Sequence, residues 1–160
     1  MPRLLLLNNA ILMLCCSIYL GTGISLIFFQ FPIEPHLTPD NYALIFVDPV
    51  QRATEFFTWM TIVMLVTGFF MLVTEWFSGL RWPPIIVLAA LIASTLLTTE
   101  FIFTYNAALA EGISDPVELA ETFSKWADLN RIRVSLWVIE WLSMMYYFFA
   151  LGLRARADHE

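Results

Sequence analysis

Charged residues are scarce in this sequence: of 160 residues, eight are Lys or Arg and fourteen are Asp or Glu, 14% of the chain. A water-soluble domain of this size carries charge at about a quarter of its positions. The balance is also acidic, with a formal net charge of -6. That excludes a nucleic-acid partner, which demands clustered Lys and Arg to displace counterions. Lysine occurs once, as Lys125, outside every long apolar run, so no Schiff-base chromophore is expected. Histidine occurs only as His36 and His159, too few and too badly placed to pair as ligands of a b-type haem. The two cysteines, Cys15 and Cys16, are adjacent in an apolar run, where neighbours point in different directions around a helix and cannot easily bridge. They read as buried apolar filler. No CxxC and no zinc-like His/Cys spacing is present, so neither a cofactor nor a metal is expected.

What the sequence has instead is apolar mass: 59% hydrophobic and 16% aromatic residues, with a mean hydropathy of +0.73. A hydrocarbon layer about 30 Å thick needs roughly 20 apolar residues per helical crossing, because each backbone N–H and C=O must be satisfied inside the segment. Four stretches meet this, at about 4–29, 54–75, 84–105 and 131–153. The first is longer than the core of a secretory signal and ends in bulky Phe28, Phe29 and Phe31, so it is expected to stay as a span. The fold class expected is all-α, a transmembrane antiparallel four-helix bundle forming one membrane domain over 1–160.

The connections carry the punctuation. Residues 30–52 contain Pro32, Pro35, Pro39 and Pro49, which predicts a long extended loop. The second connection, Ser78 to Trp82-Pro83-Pro84, reads as a tight hairpin with proline opening the third span. In the third, over 106–130, Ser114 or Asp115 can cap a short amphipathic helix running toward Trp126 and lying along the interface. Arg3, Arg81, Arg154 and Arg156 mark one end of the bundle, and Arg52, Lys125, Arg131 and Arg133 the other. Treating Arg52, Arg131 and Arg133 as bundle residues rather than loop charges places both termini in the cytoplasm, with a bacterial inner membrane as the expected location.

Two acids fall inside apolar spans, Glu100 and Glu140, where a carboxylate costs several kcal/mol unless paired, hydrated or protonated. Antiparallel topology brings both into the membrane half that holds Arg52, Glu55, Arg131 and Arg133, so ion pairs among them are expected. If Arg133 and Glu140 are partners, truncating either strands the other. Asn130, Arg133, Trp137, Glu140 and Trp141 follow spacings of three, four, three and one along the last span. They form an inward stripe. Glu55 and Trp59 make a smaller stripe of the same kind on the second span, and Tyr105 or Asn106 adds hydrogen bonds from the third. The group reads either as a structural lock between helices or as a pocket with an aromatic wall and a charged floor. Trp76, Trp82 and Trp126 are expected in an interfacial aromatic belt. His36, flanked by Glu34 and Asp40, reads as a solvated loop residue rather than a metal ligand, and His159 as a frayed tail. Gly21, Gly23, Gly68, Ala89, Ala90 and Ala93 mark sites of close helix approach.

The run Trp126-Ala-Asp-Leu-Asn130-Arg131-Ile-Arg133, followed by Trp137 and Glu140-Trp141, resembles the last segment of the anthrone-oxygenase-like family of small four-helix membrane proteins. The four-span layout extends that resemblance loosely over the chain. It implies a compact bundle and cofactor-free oxidation of a polycyclic aromatic by dioxygen, with Glu140, Glu100 or His36 as the base. Two functions remain open from the sequence. One is a non-catalytic accessory or assembly subunit that docks to another membrane protein or to further copies of itself. The other is an enzyme or carrier for an apolar aromatic or quinone-like ligand held between the helices. A proton-coupled transporter ranks third, since no internal repeat is visible.

Overall fold

In the computed structural model, which describes residues 3–157, the chain is four long helices joined by short connections. They are α1 (Arg3–His36), α2 (Ala43–Glu75), α3 (Trp82–Glu111) and α4 (Pro116–Ala157), each long and apolar enough to cross a membrane. No strand occurs among the described residues. The expected all-α antiparallel four-helix bundle is the fold. Consecutive helices pack side by side and α4 closes the ring against α1, so α1 neighbours α2 and α4, and α3 neighbours α2 and α4. His159 lies outside the described residues.

The helices are longer than the apolar runs that seed them. At 1.5 Å per residue, the 42 residues of α4 extend about 63 Å, roughly twice the hydrocarbon thickness. The surplus lies at the end bearing the connections 37–42 and 112–115, here called the head; the opposite hairpin end holds the 76–81 turn, the start of α1 and the end of α4. Two sequence expectations are corrected there. Residues 30–52 are not an extended loop: a 3-10 turn Phe31–His36 ends α1, and a π-helical turn Ala43–Val47 opens α2. Nor does 116–130 lie along the interface as a separate helix, because it is the first part of α4 itself. Pro116 opens α4, where a missing N–H costs nothing, Pro32 and Pro49 sit where the helical hydrogen-bond pattern changes at the 3-10 turn and after the π-helical turn, and Asp115 caps α4 by accepting from Val117 N at 2.9 Å.

What folds the head is burial. Phe31, Tyr42, Phe46, Leu109, Ile113, Leu119, Phe123 and Trp126 are all buried and continuous with the core. Phe46 meets Trp126 edge-on at 4.5 Å between ring centroids, and Phe123 meets Phe46 at 5.1 Å. The Tyr42 hydroxyl accepts from Ile113 N at 2.6 Å, tying the two connections together. Trp126 is only 2% exposed and donates its indole N–H to Asn106 Oδ1 at 2.8 Å. It is therefore a core residue of the head, and its expected place in an aromatic belt is corrected. Trp76 and Trp82 are exposed.

Inside the bundle, two glycines set helix spacing. A Cβ on Gly23 would come within 2.8 Å of the Val134 side chain and 3.2 Å of the Trp137 ring, and one on Gly68 within 2.9 Å of Leu88. Gly21, expected to act alike, has nothing within 4 Å of a Cβ, and Ala89 and Ala93 face outward while Ala90 is buried. Gly23→Leu should therefore lower bundle stability by about 1–3 kcal/mol through overpacking, whereas Gly21→Leu should be close to neutral. Thermal unfolding of the two variants in one detergent checks the contrast; equal melting points would contradict the close α1–α4 contact.

Candidate functional site

The inward stripe of α4 forms as its spacing requires. Asn130, Trp137 and Glu140 are buried, with Arg133 and Trp141 half-buried beside them. The other half of the expected cluster does not join them. Arg52, Glu55 and Glu100 are exposed, and Trp59 is 73% exposed. The buried face of α2 runs through Met60, Met64, Thr67, Gly68, Met71 and Glu75, which leaves Glu55 and Trp59 on the outer side. Glu100 is two residues from both Thr98 and Ile102, which line the interior, and about 200° of helical turn carries it outward. Arg131 is also exposed and pairs with Asp128 one turn back.

That is the single ion pair among the described residues. The expected Arg133–Glu140 pair does not form, because seven residues along one helix share a face but stand about 10 Å apart. Arg133 instead lies over the Trp137 ring, its guanidinium carbon 4.8 Å from the centroid. Its Nη1 reaches Thr98 Oγ1 at 3.4 Å, and its buried Nε has no hydrogen-bond partner. Glu140 is fully buried with neither carboxyl oxygen hydrogen-bonded. Asn130 donates to the Trp126 carbonyl at 2.8 Å while its own Oδ1 is unpartnered.

In front of this stripe is a cavity of about 440 Å³. Its back wall is Tyr19, Trp137 and Arg133; Phe57, Ile62 and Leu65 of α2 face Ile102 and Phe103 of α3 across it. The Trp137 ring leans on Tyr19 at 4.6 Å, and Tyr19 stacks on Phe57 at 5.1 Å, giving a cluster of three aromatic rings. The cavity exists because α2 and α3 touch at Gly68 and Leu88 but stand apart over residues 53–65 and 94–106. Lip residues Thr58, Ile62, Thr99 and Phe103 are exposed on the outer surface, so the opening faces sideways, between α2 and α3. Two π-helical turns, Leu26–Gln30 and Thr98–Ile102, contribute to the wall; such turns redirect side chains and recur at functional sites.

Threonine dominates the polar lining, a feature the sequence reading missed. Thr54, Thr58, Thr61, Thr95, Thr98 and Thr99 each donate a hydroxyl proton to a carbonyl four residues back on their own helix. Tyr19 and Thr61 share a 2.6 Å hydrogen bond; since the Thr61 proton points to Phe57 O, Tyr19 is the donor. The Thr54/Thr58/Thr61 spacing on one helix and Thr95/Thr98/Thr99 on the next is the signal that could have found this wall.

A second polar cluster, also missed, sits at the hairpin end. Asn8 Nδ2 donates to Thr67 O and to Asn9 Oδ1, both at 3.0 Å, and Asn9 Nδ2 donates to Tyr147 Oη at 2.9 Å. Tyr147 Oη donates to Glu75 Oε1 at 2.8 Å, and Ser78 Oγ to Glu75 Oε2 at 2.5 Å. Its signal was Asn8-Asn9 inside an apolar run. Asn8, Asn9, Glu75, Ser78 and Tyr147 all find partners in this cluster, which suits a lock between α1, α2 and α4. His36 is exposed, and its carbonyl accepts from Asn41. Cys15 and Cys16 are buried and free.

No protein-family model, curated protein or solved structure matches the chain.

Proposed function

We propose that this protein binds a flat, mainly apolar small molecule, aromatic or quinone-like, in the α2–α3 cavity and exchanges it sideways with the bilayer. The observation that carries this reading is the cavity itself. Its volume of about 440 Å³ lies within the range of roughly 300–1,000 Å³ found for small-molecule sites. An aromatic back wall, apolar side chains, a set of threonine oxygens and one charged group at Arg133 are the mix such sites use. The head closes one end of the bundle with aromatic packing, which leaves the lipid-facing lip as the route in.

Binding is common to a carrier and to an enzyme of the cofactor-free oxygenase type that the last-span resemblance implies. Glu100, Glu140 and His36 do not line the cavity, so the reading stops at binding and assigns no base. The membrane setting is a bacterial inner membrane with both termini cytoplasmic, which directs the head outward. The accessory-subunit role is the second reading, supported by outer faces rich in large apolar residues such as Phe28, Phe29, Phe69 and Phe77.

Native mass spectrometry from mild detergent separates the two. The parent chain should retain a small aromatic or quinone-like molecule, and Thr95→Trp, placed on the cavity wall, should lower its occupancy by roughly tenfold, about 1.4 kcal/mol. A stable larger complex that carries no small molecule would instead favour the subunit role.

A further inference from the structure

We infer that the ligand carries an oxyanion, a carboxylate or an ionised phenol or enol, and that Arg133 is the residue that selects it. This deepens the binding reading above and rests on it. Arg133 is the one charged residue in the cavity wall. Within the described residues it has no acidic partner, and its Nε makes no hydrogen bond although buried. A guanidinium so placed has lost water without gaining a counter-charge, an arrangement that a ligand anion completes.

The rest of the wall reinforces the choice. Seven threonine hydroxyls and that of Ser94 spend their protons on helix carbonyls, and Tyr19 spends its own on Thr61. Their oxygen lone pairs, not their protons, are left for a ligand. Gln30 and Asn106 add neutral amide donors to the wall, but the guanidinium, held over Trp137 at 4.8 Å, is its one charged donor. An oxyanion is drawn there by charge, and a planar fork matched to two oxygens meets it. The apolar body then lies along Phe57, Ile62, Leu65 and Ile102. Aromatic acids and fatty acids share this chemistry, and the cluster of aromatic rings formed by Tyr19, Phe57 and Trp137 in the wall favours the aromatic source.

The test uses two probes of one shape, 9-anthracenecarboxylate and neutral 9-anthracenemethanol, followed by energy transfer from tryptophan in the full-length protein in nanodiscs at neutral pH. The carboxylate should bind at least roughly tenfold more tightly, about 1.4 kcal/mol. In Arg133→Gln that preference should vanish while the alcohol still binds, which also reports that the variant is folded. Arg133→Met, which keeps an apolar stem over Trp137, gives the same reading independently. Equal affinities in the parent, or a preference that survives both substitutions, overturns the inference and leaves the binding function intact. If neither probe binds the parent, the binding function itself fails. Oleate should displace the carboxylate weakly; tighter binding of oleate than of the aromatic acid overturns the aromatic assignment.

Discussion

Trp126→Ala is expected to destabilise the protein by about 3–5 kcal/mol, the cost of deleting a large buried aromatic side chain. Three losses coincide at this position. The indole fills the space among Phe31, Phe46 and Phe123, with centroid separations of 5.8, 4.5 and 5.5 Å. Its N–H satisfies Asn106 Oδ1, and that half-buried amide would lose its partner. The site also joins α1, α2, α3 and α4 at the head, so nothing nearby can collapse into the gap without shifting a helix. Trp59→Ala, by contrast, removes a side chain that is 73% exposed on the outer face of α2 and should change stability by less than about 0.5 kcal/mol. Thermal melts of the two variants in the same detergent decide the matter. Comparable losses would mean that the head is not a packed unit.

Glu140→Met should raise stability, by about 1–3 kcal/mol. The argument starts from the two carboxyl oxygens, which are fully buried and make no hydrogen bond among the described residues. Leaving a polar group unsatisfied costs that order of free energy, and an apolar side chain of similar volume removes the cost without opening a cavity. The sequence alone argues the other way, since an acid partnered by Arg133 would strand a cation when removed. Geometry decides between them: Arg133 is two turns away, over Trp137. A higher melting temperature for Glu140→Met supports an unpartnered acid, while a drop of several degrees would mean that Glu140 belongs to a hydrogen-bonded network. Because Glu140 does not line the cavity, binding of an aromatic probe should be unchanged in the same variant.

The inward stripe of α4 was legible because the 3.6-residue period leaves little freedom once a helix is granted. Asn130, Arg133, Trp137, Glu140 and Trp141 had to share a side, and they do. Glu55 and Trp59 share a side too, but periodicity does not say which side faces in. On α2 the inward choice went to Met60, Met64 and Gly68, whose small or flexible side chains let helices approach. Glu100 and Glu140 do not meet: Thr98 faces Arg133 and Asn106 faces Trp126 across the two helices, which sets Glu140 about 12 Å further from the head than Glu100, and Glu100 points outward. The threonine wall escaped notice because a threonine bonded to its own helix is an ordinary membrane residue until a neighbouring helix stands away from it.

Four apolar runs of sufficient length, with few charges inside them, determined by themselves that this chain forms four helices suited to hydrocarbon, since no other local structure satisfies the backbone there. Which residues of α4 lie on one face followed from the same helical geometry. Everything that gives the site its character came from contacts between distant segments. The close approach of Gly68 to Leu88 and the separation of α2 from α3 beyond it opened the cavity. The burial of Phe31, Phe46 and Trp126 together turned two expected loops into a helical head. The seven-residue offset along α4 left Arg133 facing the cavity and Glu140 without a partner. Local periodicity fixes angles around one axis, but only packing between axes sets which faces meet, and a pocket is a place where they do not.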